Sequence, residues 1–230
     1  VKIVMARKIE SRTIALVGGT GNQGPPLAVR WALAGNRVLI GSRSPEKAQS
    51  VAEELEATLK GMGCSTKVGF GANEEIVGEA DTVVLTIPFE GLESTLEKLK
   101  ERIKLGTLVV SPVVPIEFKE KEVRLIRLEK GSAAEIVAQR LPQADVVAAL
   151  HTVSANLLAD YAKPIEKDVI VCGNSRTAKS TGMALVEQIP GLTAVDGGEL
   201  SNAHIVEEFT FLLIRMGHIN RRPNLGFRLC

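Results

Sequence analysis

Cysteine is scarce: Cys64, Cys172 and Cys230 are widely spaced and form no CxxC pair. That excludes a disulfide framework and a zinc finger, and it makes a reducing cytoplasm the expected compartment. The three histidines, His151, His204 and His218, lack ligand-like spacing, so no metal site is expected. Eight aromatic residues are too few to build a stacking platform for single-stranded nucleic acid, and no nucleic-acid partner is expected. Long apolar runs are missing too. Segments such as 146–150 and 212–214 are strand-sized, far below the ~20 residues of a membrane span. Residues 1–12 carry neither the apolar core nor the cleavage pattern of a signal peptide. No internal repeat or low-complexity linker breaks the chain. Coiled coils and disordered tails are likewise excluded.

Charge is nearly balanced at +1, but it is unevenly placed. Residues 1–12 hold Lys2, Arg7, Lys8 and Arg12 against Glu10, and residues 209–230 hold Arg215, Arg221, Arg222 and Arg228 with no acid. The ends are basic and the middle is acidic. With so few aromatics, such ends suit a small anionic ligand at least as well as a polynucleotide.

What the chain does have is alternation. Segments 13–17, 37–41, 82–87, 107–111, 145–150 and 168–172 read as strands, apolar at nearly every position, as in a sheet covered on both faces. Between them, 22–34, 45–60, 91–102, 132–141, 175–188 and 199–217 read as helices. Start signals support two of these: Pro45 behind Ser44, and Ser132 with Glu135 as a capping box. The pattern predicts an α/β fold with a parallel sheet, right-handed crossovers and helices on both faces. Residues 113–130 are charged and irregular, with a candidate edge strand at 123–128. The last helix carries an apolar stripe, Ile205, Phe209, Leu212, Leu213 and Met216, suited to packing across the end of the sheet or against a second subunit.

The first strand runs into Gly18-Gly19-Thr20-Gly21-Asn22-Gln23-Gly24. Gly19, Gly21 and Gly24 satisfy G-x-G-x-x-G between a strand and a helix. The three glycines serve a tight turn, a close backbone approach to pyrophosphate, and close helix–strand packing. The helix N-terminus offers free amides to the anion, while Pro25 and Pro26 fall in the first turn. This predicts a Rossmann-type dinucleotide site. An NAD enzyme usually ends its second strand in an acid that holds the ribose 2′-hydroxyl. Here the strand ends in Ser42, Arg43 and Ser44, with Lys47 one turn on, a set that suits a 2′-phosphate and hence NADP. A later strand ends at Ile87 and Pro88, where the ribose or nicotinamide would lie. The 107–111 strand ends in the same way, in Pro112 to Pro115. His151 closes another buried strand on the same side of the sheet. No G-x-S-x-G nucleophile elbow is present.

In order and spacing, the blocks GGTGNQG, GSRSPEKA, VVLTIPFE, VVSPVVP, GSAAEIVA, VVAALHT and GGELSNAHIVEEFT resemble the F420-dependent NADP reductase family over about residues 13–230. The glycine loop and the GSR segment also occur in the N-terminal domains of membrane-anchored ferric reductases, and it is the later blocks that make the likeness specific. The resemblance implies an oxidoreductase that passes a hydride directly between NADP(H) and the deazaflavin coenzyme F420, with no metal and no obligatory catalytic side chain. It places NADP on Gly19, Thr20, Gly21, Asn22, Gln23, Gly24, Ser42, Arg43, Lys47, Ile87, Pro88, Val114 and Ala155. It places the deazaflavin on His151, Val153, Thr210 and Leu225. It also implies a homodimer, and three parts: a basic extension 1–12, an NADP-binding domain 13–154 and a smaller C-terminal domain 155–230. The sequence departs from the family pattern at Phe89, Gly91 and Glu208. Two other readings are an NADPH-dependent flavin or ferric-chelate reductase and a non-enzymatic NADP-sensing module.

Overall fold

A computed structural model describes residues 10–119, 122–129 and 131–229. Residues 1–9 of the basic extension and Cys230 lie outside the described residues. In chain order the elements are β1 (Thr13–Val17), α1 (Gly24–Leu33), β2 (Arg37–Ser42), α2 (Pro45–Gly61), β3 (Val68–Ala72), α3 (Asn73–Ile76), β4 (Thr82–Leu85) and α4 (Leu92–Leu99). There follow β5 (Leu108–Ser111), β6 (Ile116–Lys119), β7 (Glu122–Leu125), α5 (Ala133–Arg140), β8 (Asp145–Ala148) and α6 (Ala155–Ala159). The last are β9 (Lys167–Gly173), α7 (Arg176–Glu187), β10 (Leu192–Asp196) and α8 (Ala203–Ile219). A 3₁₀ turn, Phe89–Gly91, precedes α4.

Eight strands form one sheet in the order β10-β9-β8-β5-β4-β1-β2-β3, and β6 and β7 pair separately as an antiparallel hairpin. The sheet's own strands show why both faces must be covered. In β1, Ile14 and Leu16 enter one apolar cluster with Leu27, Trp31 and Leu59. Their neighbours Ala15 and Val17 enter the opposite cluster with Leu92, Leu96 and Val206. That is the two-residue period of a strand serving two cores at once. Each large side chain so buried contributes about 1.5–3 kcal/mol. Polar ties fix the layers: Trp31 Nε1 donates to the Leu185 carbonyl at 3.0 Å, joining α1 to α7. The Arg30 guanidinium donates to the carbonyls of Leu158, Leu157 and Asp160, and so closes the C-terminal end of α6.

The expectation of a wholly parallel sheet needs one correction. Every pairing in the large sheet is parallel except β8 with β9, which is antiparallel with Ala148 opposite Cys172. The connection between them, residues 149–166, holds only the short α6, pinned to α1 by Arg30, and it does not carry the chain back to the start of the sheet. Residues 155–230 therefore supply β9 and β10 to the same sheet as residues 13–154. The charged segment after β5 forms the β6–β7 hairpin, with Val123 buried and Phe118 opposite it exposed. Strands β3, β6 and β10 have no counterpart in the sequence reading. β3 carries Gly69 because a Cβ there would stand 2.4 Å from Leu39 Cδ2 on the neighbouring strand. The α8 stripe is split: Leu213 is buried, while Ile205, Leu212 and Met216 face outward together with Ile219.

Candidate active site

The glycine loop leaves β1 at the carboxyl edge of the sheet and turns at once. Gly18 has φ +69°, a left-handed conformation that favours glycine, and a Cβ on it would meet Ile87 Cγ2 at 2.4 Å. The Gly19 amide donates to the Gly41 carbonyl at 2.8 Å, which ties the loop to the end of β2. Gly24 allows α1 to start against the loop, because a Cβ there would lie 2.3 Å from the Gly19 oxygen. Gly21 differs: a Cβ on it would make only ordinary contacts with the protein, so its bareness opens the loop outward. The amides of Thr20, Asn22, Gln23 and Gly24 donate to no backbone carbonyl among the described residues. Such an array of unused donors at a helix N-terminus is an anion cradle. Pro25 and Pro26 remove two amides from the first turn of α1, so the loop itself must supply the donors.

Asn73, which begins α3, reaches over Gly41 so that its Oδ1 accepts the Gly18 amide at 3.0 Å. Sequence reading missed this residue, since a helix-start asparagine is ordinarily a local cap. Its one available signal was its place at the end of a glycine-rich strand. At the end of β2, Ser42 is buried and its hydroxyl accepts the Ser44 amide at 3.2 Å. Ser44 caps α2 by accepting the Lys47 amide at 3.3 Å. Arg43 and Lys47 are exposed, and their side chains enter no hydrogen bond or ion pair among the described residues. Two cations thus stand unengaged beside the anion cradle.

A cavity of about 820 Å³ opens beyond the carboxyl ends of the strands. Gly21, Asn22, Gln23, Ile87, Pro88, His151, Val153, Ala155, Thr210 and Leu225 all line it. Gly19, Thr20, Gly24, Ser42, Arg43 and Lys47 lie outside this wall, along the glycine loop and the β2 end. Val114 does not reach it either; its carbonyl accepts the Ile116 amide at 2.8 Å.

His151 follows Leu150, whose φ of +67° turns the chain sharply off the end of β8. The imidazole is buried, and neither ring nitrogen has a partner among the described residues. Burial lowers its pKa to about 4, so at neutral pH it is uncharged, with one N–H donor and one lone pair. A buried polar ring left unpaired on a cavity wall is costly unless a ligand completes it. The Thr210 hydroxyl, by contrast, already donates to the Val206 carbonyl at 2.8 Å.

The far wall is made by α8 and the segment after it. Ser154 Oγ bonds Asn224 Oδ1 at 2.6 Å, and Phe209 meets the edge of Phe227 with centroids 5.7 Å apart. The Asp168 amide donates to the Phe227 carbonyl at 3.0 Å, and the Asp168 carboxylate accepts the Leu229 amide. His218 and Arg221 line the cavity on this side. Outside it, Glu207 is 1% exposed and accepts the amides of Ala133 and Ala134, fastening α8 to the start of α5. Burial pushes its carboxyl up to about 7 against the pull of those two amides. Among the described residues no helix is long and apolar enough to cross a membrane, and no cluster of His, Cys, Asp and Glu could hold a metal ion.

Comparison with known proteins adds an independent line. The family model described as NADP oxidoreductase, coenzyme F420-dependent, matches residues 13–115, from β1 to the end of the segment after β5. The F420-dependent NADP reductase of Methanocaldococcus jannaschii is 38% identical over 218 residues, 94% of this chain and 97% of that protein. The F420-dependent NADP reductase of Methanothermobacter marburgensis is 40% identical over 221 residues, again 94% of this chain and 97% of the relative. A solved structure from Arthrobacter sp. FB24 shares the fold with a TM-score of 0.82 at 23% identity, covering 96% of this chain and all of that one.

Proposed function

The chain belongs to the F420-dependent NADP reductase family, and from that premise we propose how its residues divide the work of an oxidoreductase that passes a hydride between NADP(H) and coenzyme F420. The two coenzymes supply the hydride chemistry; the protein binds them, orients them and excludes water. The loop amides of Thr20 and Asn22 to Gly24 hold the pyrophosphate. Ser42, Arg43 and Lys47 hold the 2′-phosphate. Ile87, Pro88 and Ala155 support the nicotinamide side, and His151, Val153, Thr210 and Leu225 the deazaflavin.

The observation that carries this division is the single cavity shared by Gly21–Gln23 and the unpartnered His151. One hollow reaches from the dinucleotide loop to a polar ring that lacks a partner, and its volume suits two stacked ring systems. An NADP sensor would need only the first half. The exposed α8 face of Ile205, Leu212, Met216 and Ile219 serves as the contact of a homodimer. The scarcity of cysteine fits work in the cytoplasm. On this reading residues 13–154 are the NADP-binding domain and residues 155–230 the smaller C-terminal domain, with His151 and Val153 of the first reaching the deazaflavin and Ala155 of the second the nicotinamide.

The test is to mix the protein with NADPH and, separately, with F420, free flavin or a ferric chelate, and to follow loss of nicotinamide absorbance. Turnover should be fastest with F420 and should slow when NADH replaces NADPH. Faster turnover with flavin or ferric chelate would overturn the assignment of the second site.

A further inference from the structure

We propose that Phe118, on the β6–β7 hairpin, is a binding and specificity residue for the second ring. The inference rests on the two-coenzyme reading above. Phe118 is 72% exposed, yet it lines the main cavity with Ile87 and Pro88 at one side and Leu213 and Ile214 of α8 at another. The sequence has only eight aromatic residues, and spending one on solvent at the mouth of an apolar hollow needs a reason. An exposed aromatic over such a wall gains burial only when something flat and apolar sits beneath it.

The hairpin holds that ring on the face it turns toward the cavity. Phe118 pairs with Val123 across the two strands, so both side chains leave the same face. Val123 is buried and anchors that face, while the base is closed by the Ile126 amide donating to Pro115 at 2.7 Å. β7 packs on α8 and β6 on the 3₁₀ turn before α4. Of these two supports, α8 belongs to the wall assigned to the deazaflavin, and the hairpin forms a sheet of its own, apart from the strand that bears the glycine loop. Phe118 accordingly covers the deazaflavin and leaves the dinucleotide cradle alone.

Dissociation constants for F420 and NADPH, measured on the full chain by fluorescence titration, test the proposal with Phe118→Ala and Phe118→Leu. The alanine variant should weaken F420 binding about tenfold while changing NADPH binding less than about twofold, and leucine should restore part of the loss. In a Phe118→Trp variant, emission from the new ring should move to the blue when F420 joins the NADP-loaded protein and stay in place with NADPH alone. Unchanged F420 affinity in Phe118→Ala, with the unaltered protein using F420 normally, would overturn the role of Phe118 and leave the function standing. Equal losses for both coenzymes would overturn it as well. If the unaltered protein neither binds nor reduces F420, the functional reading falls and Phe118's role falls with it.

Discussion

Asn73 Oδ1 accepts the Gly18 amide at 3.0 Å, so a residue beyond β3 fixes the turn that follows β1. The side chain passes over β2 at Gly41, where a Cβ would stand 2.6 Å from that same oxygen. This bond ties the turn after β1 to the residue that follows β3, and the Gly19 amide ties the same loop to Gly41 at the end of β2.

Replacing Asn73 by alanine leaves the Gly18 amide without an acceptor. The expected cost is about 1–3 kcal/mol of stability, read from denaturant unfolding. On the proposed assignment of the loop to the pyrophosphate that both nucleotides share, NADH and NADPH should lose affinity by the same factor. A loss confined to NADPH would show that Asn73 acts on the 2′-phosphate instead.

Arg43→Ala should give the opposite pattern. A charge-assisted contact to a phosphate contributes roughly 1.5–3 kcal/mol, so NADPH affinity should drop by about tenfold to a hundredfold. NADH affinity should stay nearly constant. Isothermal titration of both nucleotides on both proteins decides the matter, and equal losses would remove Arg43 from the 2′-phosphate site.

On the proposed role, in which the ring orients F420 and shuttles no proton, His151→Asn should raise the KM for F420 by about tenfold and change kcat far less. With its pKa lowered to about 4 by burial, His151 stays uncharged from pH 5.5 upward. The wild-type KM for F420 should therefore show no inflection near the ordinary histidine range. A collapse of kcat that titrates near pH 6.5 would make the residue an acid–base group.

Glu207 gives a stability prediction with a definite sign. Its folded pKa is raised to about 7 from 4.5, so the folded protein keeps a proton that the unfolded chain has already released. The stabilisation is complete below about pH 4.5 and is lost as pH rises through 7, by up to about 3 kcal/mol. Glu207→Gln cannot ionise. Relative to the wild type it should gain stability between pH 5 and pH 8 in urea unfolding, and parallel profiles would refute the account.

Much of the fold is legible in the sequence because buried strands announce themselves. Nearly every residue of β1, β4, β5 and β8 is apolar, and the glycine loop follows β1 with the spacing that a dinucleotide turn requires. β3 escaped because Gly69 and Gly71 lower its strand propensity, although Gly69 is there to clear Leu39. Glu207 escaped because an acid in a helix reads as a solvent-facing residue. Only the two amides of α5, brought in from 74 and 73 residues away, make its burial tolerable. The antiparallel turn at β9 escaped for a similar reason. It rests on the pairing of β9 with β8 across the 149–166 connection, and no local pattern carries that information.

The strand order also bears on how the protein is made. Reading β10-β9-β8-β5-β4-β1-β2-β3 from the centre outward, β2 and β3 join one side of β1, and β4, β5, β8, β9 and β10 join the other in the order of the chain. No strand is ever inserted between two that are already paired. A chain emerging from the ribosome N-terminus first can thus complete the sheet by successive additions at an open edge, without undoing any pair. The glycine loop, β2 and Asn73 are made early. The cavity beyond the strand ends gains its last wall only with Asn224 and Leu225. In the order of synthesis, the glycine loop and Asn73 thus precede the last wall of that hollow by some 150 residues.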